Sequence, residues 1–297
     1  MTSLTSIKYI VPKSVEELLA VIGSEENPRI VAGNTLLNEL GKRNLLGGVT
    51  ALIDINELPL DYVKLGEDSI TLGSLVTFTR LLREDFINRP AYSALKEALS
   101  AVHPIQVRNA ATIGGCIGAG LPFLDVPPAL LCLDAVIQIT TCDGTQTNEY
   151  SKLASDIAGG IPAGQLITKI QLPKYNDRTR SAYSRFSLTG MGESVASVAI
   201  RLTLDGSLAH SHCTQACVAI GGAGIDTQRI SEAETFLTNS GHTTTDVLQH
   251  TSDLVAKEAH IVPDLNGSAE FKRKILSVQT KRTLSKLLAA DSRGAKL

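Results

Sequence analysis

Residues 111–131 read ATIGGCIGAGLPFLDVPPALL. The first half is a run of small residues with neither the 3.6-residue nor the two-residue apolar period, so it reads as a loop that would hardly form helix or strand. The second half reads as a helix: Asp125 suits its positive end, and Pro127 and Pro128 fit its first turn. With HPIQVRNAA before it, the aperiodic stretch reaches about twenty residues. Connections of that length inside a compact region are uncommon unless they carry function. A small-residue loop running into a helix is suited to holding a ligand against its backbone.

Working outward, Ser14 and Glu17 form a capping box ahead of LLAVI, which predicts a short helix from Ser14. RIVAG (29–33) is a strand ending in glycine, and after NT the spacing of Leu36, Leu37 and Leu40 predicts a helix. ALIDI (51–55) is a strand, and YVKL and SITLGS form a hairpin across Gly66-Glu67-Asp68. Thr77 caps another helix, and a further one covers about Ser93 to Ala101. AVIQITT, a turn at Asp143-Gly144, and QLITKIQLP supply more strands. The polar segment KYNDRTRS (174–181) places a boundary between a domain at 1–176 and one at 177–297. The second domain reads as three antiparallel strands, AYSRFSL, SVAIRLTLDG and CTQACVAIGG, with a hairpin at Asp205-Gly206. Helices follow at ISEAETFL, TTDVLQHTSDLVAKEA and Ser268 to about Ala290. The fold class is therefore α+β, with a small sheet backed by helices after a larger first domain.

The totals narrow the function. The 297 residues are 43% apolar and 20% charged, with 24 Gly and 11 Pro, which describes a globular chain and excludes disorder. A net charge of −2 argues against a nucleic-acid binder. No apolar stretch approaches a membrane span and the N-terminus has no secretory h-region, so the expected location is cytoplasmic. Five cysteines without zinc or disulfide spacing read as reduced thiols. Cys213 and Cys217 are expected on one face of a strand, and His210 and His212 beside its start.

Two turns carry the chemistry, AGNT (32–35) and TIGGC (112–116). In each, glycine lets main-chain N–H groups approach an anion closely, and Thr35 or Thr112 adds a hydroxyl, so phosphate is the natural guest. The bland alternative is that Gly33 and Gly114-Gly115 only turn corners. Common phosphate and catalytic patterns do not fit. Gly41-Lys42 is followed by Arg43, so there is no P-loop, and GGAG (221–224) lacks the third glycine of a dinucleotide fingerprint. No nucleophile elbow or zinc-protease motif is present.

IQVRNAATIGGCIGAGLPFLDVPPALLCLDA strongly resembles the flavin loop in the FAD-binding medium subunit of molybdenum hydroxylases, the family of xanthine dehydrogenase, carbon monoxide dehydrogenase and aldehyde oxidoreductases. VAGNTLL resembles that family's first flavin loop, and LGSLVTFTRL its usual strand and helix. DGSLAHSHCTQACVAIGGAG, RISEAETFL and GSAEFKRKI resemble its C-terminal domain, so nearly the whole chain is covered. The resemblance implies a two-lobed FAD-binding domain of the PCMH/vanillyl-alcohol-oxidase type, followed by the carbon monoxide dehydrogenase flavoprotein-like C-terminal domain. It also implies an electron-transfer subunit of an oxidoreductase. A large molybdopterin-binding partner and a small partner with two 2Fe–2S clusters would complete a dimer of heterotrimers.

The same resemblance implies site residues. Ala32, Gly33, Asn34 and Thr35, flanked by Leu36 and Leu37, would wrap the FAD pyrophosphate together with Thr112, Gly114, Gly115 and Ile117, mainly through backbone N–H groups; Val102, Cys116 and Gly118 would border it. Asp125 would accept from ribityl or ribose hydroxyls, Leu166 or Ile167 would pack near the ring system, and Arg185 would place a cation by it. No acid, base, nucleophile or metal ligand is expected in this chain. Asp125 could instead be a plain helix-start residue, and Arg185 a surface charge on an edge strand. The basic run Lys272, Arg273, Lys274, Lys281, Arg282 and Lys286 reads as a solvated helix face or a partner contact.

Two positions depart from the family pattern. Cys116 stands where Asn is usual and Leu36 where Asp is frequent; Cys116, a weak donor and acceptor, implies a flavin held mainly by backbone contacts and somewhat less tightly. No cysteine-bearing insertion for a further iron–sulfur cluster is present. The rival readings are a flavin-free assembly subunit and a stand-alone reductase of the same FAD fold, which a flavin spectrum and co-purification would separate from the main one.

Overall fold

A computed structural model describes residues 7–190, 192–205, 212–240 and 244–293, with side chains through residue 288. Gly206, of the expected Asp205-Gly206 turn, and His210 lie outside the described residues.

The first lobe runs β1 (Lys8–Ile10), α1 (Val15–Ser24), β2 (Pro28–Val31), α2 (Thr35–Lys42) and β3 (Ala51–Asp54). The strands form a parallel sheet in the order β1-β3-β2. Ser14 Oγ accepts from the Glu17 amide at 3.1 Å. The returning half of the capping box sits one residue upstream, where Glu17 accepts from the Lys13 amide at 2.6 Å. Leu18 and Ile22 of α1 pack on Ile53, Ile55, Leu75 and Leu166.

The second lobe holds β4 (Val63–Leu65), β5 (Ser69–Gly73), α3 (Phe78–Leu81), α4 (Ser93–Ala101), α5 (Ile105–Ala110), α6 (Ile113–Ala119), α7 (Val126–Cys132), β6 (Val136–Thr141), β7 (Gly144–Glu149), α8 (Tyr150–Leu153) and β8 (Leu166–Pro173). Its sheet is antiparallel in the order β4-β5-β8-β6-β7. Both expected hairpins are present, and Gly144 takes φ 135° in the second. Thr77 Oγ1 caps α3.

The twenty-residue stretch around TIGGC is not a loop: most of it folds as α5 and α6. Glycine in a helix interior costs about 1 kcal/mol relative to alanine, which is why local reading rejects helix here. Packing reverses the sum. Ile113 and Ile117, one turn apart, are completely buried, and Gly114 lies against Ser74 so closely that a Cβ would come within 2.4 Å of the Ser74 Cβ.

The C-terminal domain holds β9 (Thr179–Phe186), β10 (Ala196–Asp205), β11 (His212–Gly221), β12 (Gln228–Arg229), α9 (Ser231–Asn239), α10 (Thr245–Glu258) and α11 (Ala269–Arg293). Its sheet has four strands, not the expected three, because β12 adds Gln228 and Arg229 to the edge of β11. Two residues are too few to show a period. One face, with Val198, Ile200, Leu202, Val218 and Ile220, packs under the helices. On the other face Tyr183, Ala199 and Ala219 join the core of the second lobe. The sheet is thus buried on both sides and locks the C-terminal domain to the first.

Cys213 and Cys217 do not share a face. A bulge shifts the β10–β11 register between Thr203 and Leu204, so Cys213 enters the helix-side core while the Cys217 thiol reaches back to the Leu131 carbonyl at 3.8 Å. The basic run on α11 is no uniform solvated face either. Lys272 is 1% exposed and bonds to Asp264 at 2.7 Å, and Lys286 pairs with Glu97 at 2.7 Å.

Candidate functional site

The two turns expected to hold an anion touch. Gly33 follows β2, and a Cβ built on it would lie 1.8 Å from the Ala110 carbonyl oxygen and 3.1 Å from the Ala111 Cα. Ala111 leads directly into Thr112, the residue before α6. The turns sit back to back.

Their donors differ. Asn34 takes φ 56°, a left-handed geometry that Asn tolerates, and starts α2 without capping it by its side chain. Among the described residues, the amides of Gly33, Asn34, Thr35, Leu36 and Leu37 find no protein acceptor. These amides sit at the positive end of α2, an arrangement suited to a phosphate group. On the second turn the amides are taken. Ile113 donates to Val76 O at 2.9 Å, Gly114 to Ser74 O at 2.9 Å, Gly115 to Thr112 Oγ1 at 3.1 Å and Cys116 to Thr112 O at 2.9 Å. The expectation that Gly114 and Gly115 present free N–H groups is therefore corrected. Their lack of side chains serves close packing: a Cβ at Gly114 would meet Ser74, and one at Gly115, although that residue is exposed, would lie 2.8 Å from Thr112 Oγ1.

Asp125 lies at the start of α7, yet its side chain does not cap the helix. It is 6% exposed, and its two oxygens accept separately from Tyr183 Oη at 2.6 Å and Arg185 Nη1 at 2.6 Å, both from β9. Arg185 also donates to Gly192 O at 2.8 Å and Ser187 Oγ at 3.1 Å. It is thus no surface charge but a cation held between domains. Burial pushes the Asp125 carboxyl above its usual value, opposed by Arg185, by the Tyr183 hydroxyl and by the more distant His103. Sequence reasoning missed Tyr183, although its position two residues before Arg185 puts both side chains on one face of the strand.

Cys116 is half-buried on α6. Burial first, then the nearby Asp125 carboxylate, pushes its thiol far above the usual range, so it remains a neutral, weak donor. Iodoacetamide at about pH 8 is therefore expected to label exposed Cys142 and leave Cys116 unmodified, read by peptide mapping; rapid labelling of Cys116 would show a different environment. Ile117, Leu166 and Ile167 have side chains committed to the core, so only their main chain could face a ligand. Val102 ends α4, where its carbonyl accepts from Arg108 at 2.6 Å, and Gly118 packs 3.6–3.7 Å from Ile161 and Ile167. Among the described residues no cluster of His, Cys, Asp or Glu could hold a metal ion. Among the described residues no helix is long and apolar enough to cross a membrane.

The comparisons with known proteins agree with this architecture. The model for the FAD binding domain in molybdopterin dehydrogenase matches residues 5–175, and that for the CO dehydrogenase flavoprotein C-terminal domain matches residues 181–287. The chain is 26% identical over 287 residues to the 6-hydroxypseudooxynicotine dehydrogenase complex subunit alpha of Paenarthrobacter nicotinovorans, covering 95% of each. It is 25% identical to the glyceraldehyde dehydrogenase medium chain of Sulfolobus acidocaldarius, covering 94% of this chain and 97% of that one. Its fold matches a chain of reconstituted CO dehydrogenase from Oligotropha carboxidovorans with a TM-score of 0.88 at 23% identity, over 96% of this chain and 98% of the other. With a flavin-binding domain joined to that C-terminal domain, the chain belongs to the FAD-binding medium-subunit family of the molybdopterin dehydrogenases.

Proposed function

We propose that this chain carries FAD as the electron-relaying subunit of a molybdenum hydroxylase complex. The observation that carries the reading is the row of unpaired amides from Gly33 to Leu37, backed by the Thr112 turn through a contact that only glycine allows. The diphosphate would lie on those amides and the dipole of α2, with the Thr112 hydroxyl free to donate a proton while its oxygen receives the Gly115 amide. The bare backbone of Gly115 lets the cofactor approach, and Asp125 supplies an acceptor for its hydroxyl groups. Val102, Cys116, Ile117, Gly118 and either Leu166 or Ile167 would wall the site, with Ile117, Leu166 and Ile167 contributing main chain. Arg185 would act through Asp125, as a fixed positive charge behind it.

When bound, FAD supplies the redox chemistry, with electrons arriving from the 2Fe–2S clusters of a small partner and leaving to a terminal acceptor. Substrate would be oxidised at a molybdopterin centre in a large partner, and three polypeptides, paired as a dimer of heterotrimers, would form the assembly. The names of the relatives as a complex subunit alpha and a medium chain support a multi-subunit enzyme. A cytoplasmic location and a domain boundary at 176/177 complete the proposal.

The purified full-length chain is expected to show a flavin absorbance band, and the native protein to co-purify with two other polypeptides. A colourless chain that takes up no FAD would instead support a flavin-free assembly role. A coloured chain that purifies alone with a reductase activity would support a stand-alone enzyme. Cys116→Asn should tighten FAD binding by about threefold in fluorescence-quenching titrations, because an amide replaces a weak thiol donor beside the site. Unchanged affinity would show that side-chain donors at this position do not matter.

A further inference from the structure

Both hydrogen-bond partners of the buried Asp125 come from β9, the first strand of the C-terminal domain, and not from the domain that supplies the glycine turns. We propose that Tyr183 and Arg185 form a positioning pair that keeps Asp125 charged and aimed at the flavin, so that the C-terminal domain sets the acceptor facing the cofactor. This inference rests on the flavin reading of the site given above.

The geometry is that of a clamp. Each carboxylate oxygen receives one donor at 2.6 Å, which fixes the plane of the group as well as its charge. Burial together with Asp125 pushes the Tyr183 phenol well above its usual range, so it stays a donor. Tyr183 is itself pinned: its ring is 4% exposed in the shared core, and its amide donates at 2.9 Å to Glu97, which pairs with Lys286 of α11. The groups facing Asp125 are Tyr183 and Arg185 from β9, Cys116 from α6 and His103 from the segment after α4. Burial already works to protonate this carboxyl, and the Tyr183 hydrogen bond works against it. Removing the hydroxyl therefore moves protonation of Asp125 to higher pH. A protonated Asp125 has lost its charge and part of its capacity to accept from flavin hydroxyls.

The test uses the full-length chain stripped of flavin and titrated with FAD by fluorescence quenching between about pH 8 and pH 5.5. Tyr183→Phe keeps the ring and removes one donor. It should bind FAD about tenfold more weakly than wild type in the acid half of that range, with weakening that begins at higher pH. In an Asp125→Asn background, which cannot titrate, the same change should have little effect and the pH dependence should flatten. A purely structural role for Tyr183 would give parallel pH curves and an equal loss in both backgrounds, and either result overturns the inference. Arg185→Gln, read the same way, carries the test through the other oxygen if Tyr183→Phe does not fold, as checked by circular dichroism. Failure of the wild-type chain to bind FAD at any pH would instead overturn the flavin reading itself.

Discussion

Gly33→Ala is expected to cost the protein its FAD and about 3 kcal/mol of folding stability, at the upper end of what an overpacked site produces. The new Cβ would fall 1.8 Å from Ala110 O, 2.6 Å from Ala110 C and 3.1 Å from Ala111 Cα, all main-chain atoms that cannot rotate aside. Relief requires the turn after β2 and the segment between α5 and α6 to separate. That movement acts on the proposed site twice: it displaces the unpaired amides of Gly33 to Leu37, and it pulls Thr112 away from them. Stability would be read from urea unfolding, and occupancy from the ratio of flavin to protein absorbance. Gly23→Ala is the control. It lies near the end of α1 with nothing within 4 Å of the added carbon, so it should be neutral or stabilise by up to about 1 kcal/mol through helix propensity. If Gly33→Ala retained full flavin and unfolded with Gly23→Ala, the two turns would not form one site.

Much of this arrangement is legible along the chain because its signals are local. Ser14 and Thr77 cap the helices they announce, and Asp143-Gly144 turns the hairpin it promises. Gly33 could be singled out as a point of close approach, since a strand ending in glycine before a helix has few other uses. What the glycine approaches could not be read, because Ala110 lies far away in sequence. The same limit explains α6. Its glycines forbid helix by propensity, while Ser74 O and Val76 O, from the β5–α3 connection, supply acceptors that make the helix compact. Ser74 O also takes the Gly114 amide, and Thr112 Oγ1 the Gly115 amide, two donors that reading along the chain assigned to the flavin.

A second class of error comes from geometry that period counting cannot see. A single bulge reverses the faces of Cys213 and Cys217. Lys272 belongs to a run of cations that looks solvated, but its register on α11 points it inward, where Asp264 and the Gly222 carbonyl receive it. In the same way Asp125, placed as a helix-start residue or a flavin acceptor, turned out to be held by the C-terminal domain. Tertiary partners, more than local propensity, set the charge and direction of polar side chains at the site.

The domain contact on which Tyr183 and Arg185 depend should respond to Asp134→Asn with a loss of about 2 kcal/mol, less than the full value for breaking a buried pair because Asp134 is 38% exposed. Asp134 follows α7 at φ 47°, a conformation Asn also tolerates, so the substitution tests charge and not backbone strain. Its carboxylate accepts from Arg201 of β10 and, at 2.9 Å, from Arg229 of β12. Arg201 is 4% exposed, donates to Cys132 O at 2.9 Å and stacks 4.7 Å from the Tyr175 ring. Neutralising Asp134 leaves that guanidinium buried with a carbonyl and a ring for company, which is where the destabilisation arises. Glu57→Gln removes the exposed Lys13–Glu57 pair instead and should change stability by less than about 0.5 kcal/mol. Because β10 pairs directly with β9, at Ser197↔Arg185 and Ala199↔Tyr183, loosening Arg201 should also loosen the donors on Asp125. Asp134→Asn is thus expected to lower FAD retention in gel filtration although it lies outside the proposed site, and an effect no larger than that of Glu57→Gln would show that this ion-pair network does not hold the domains together.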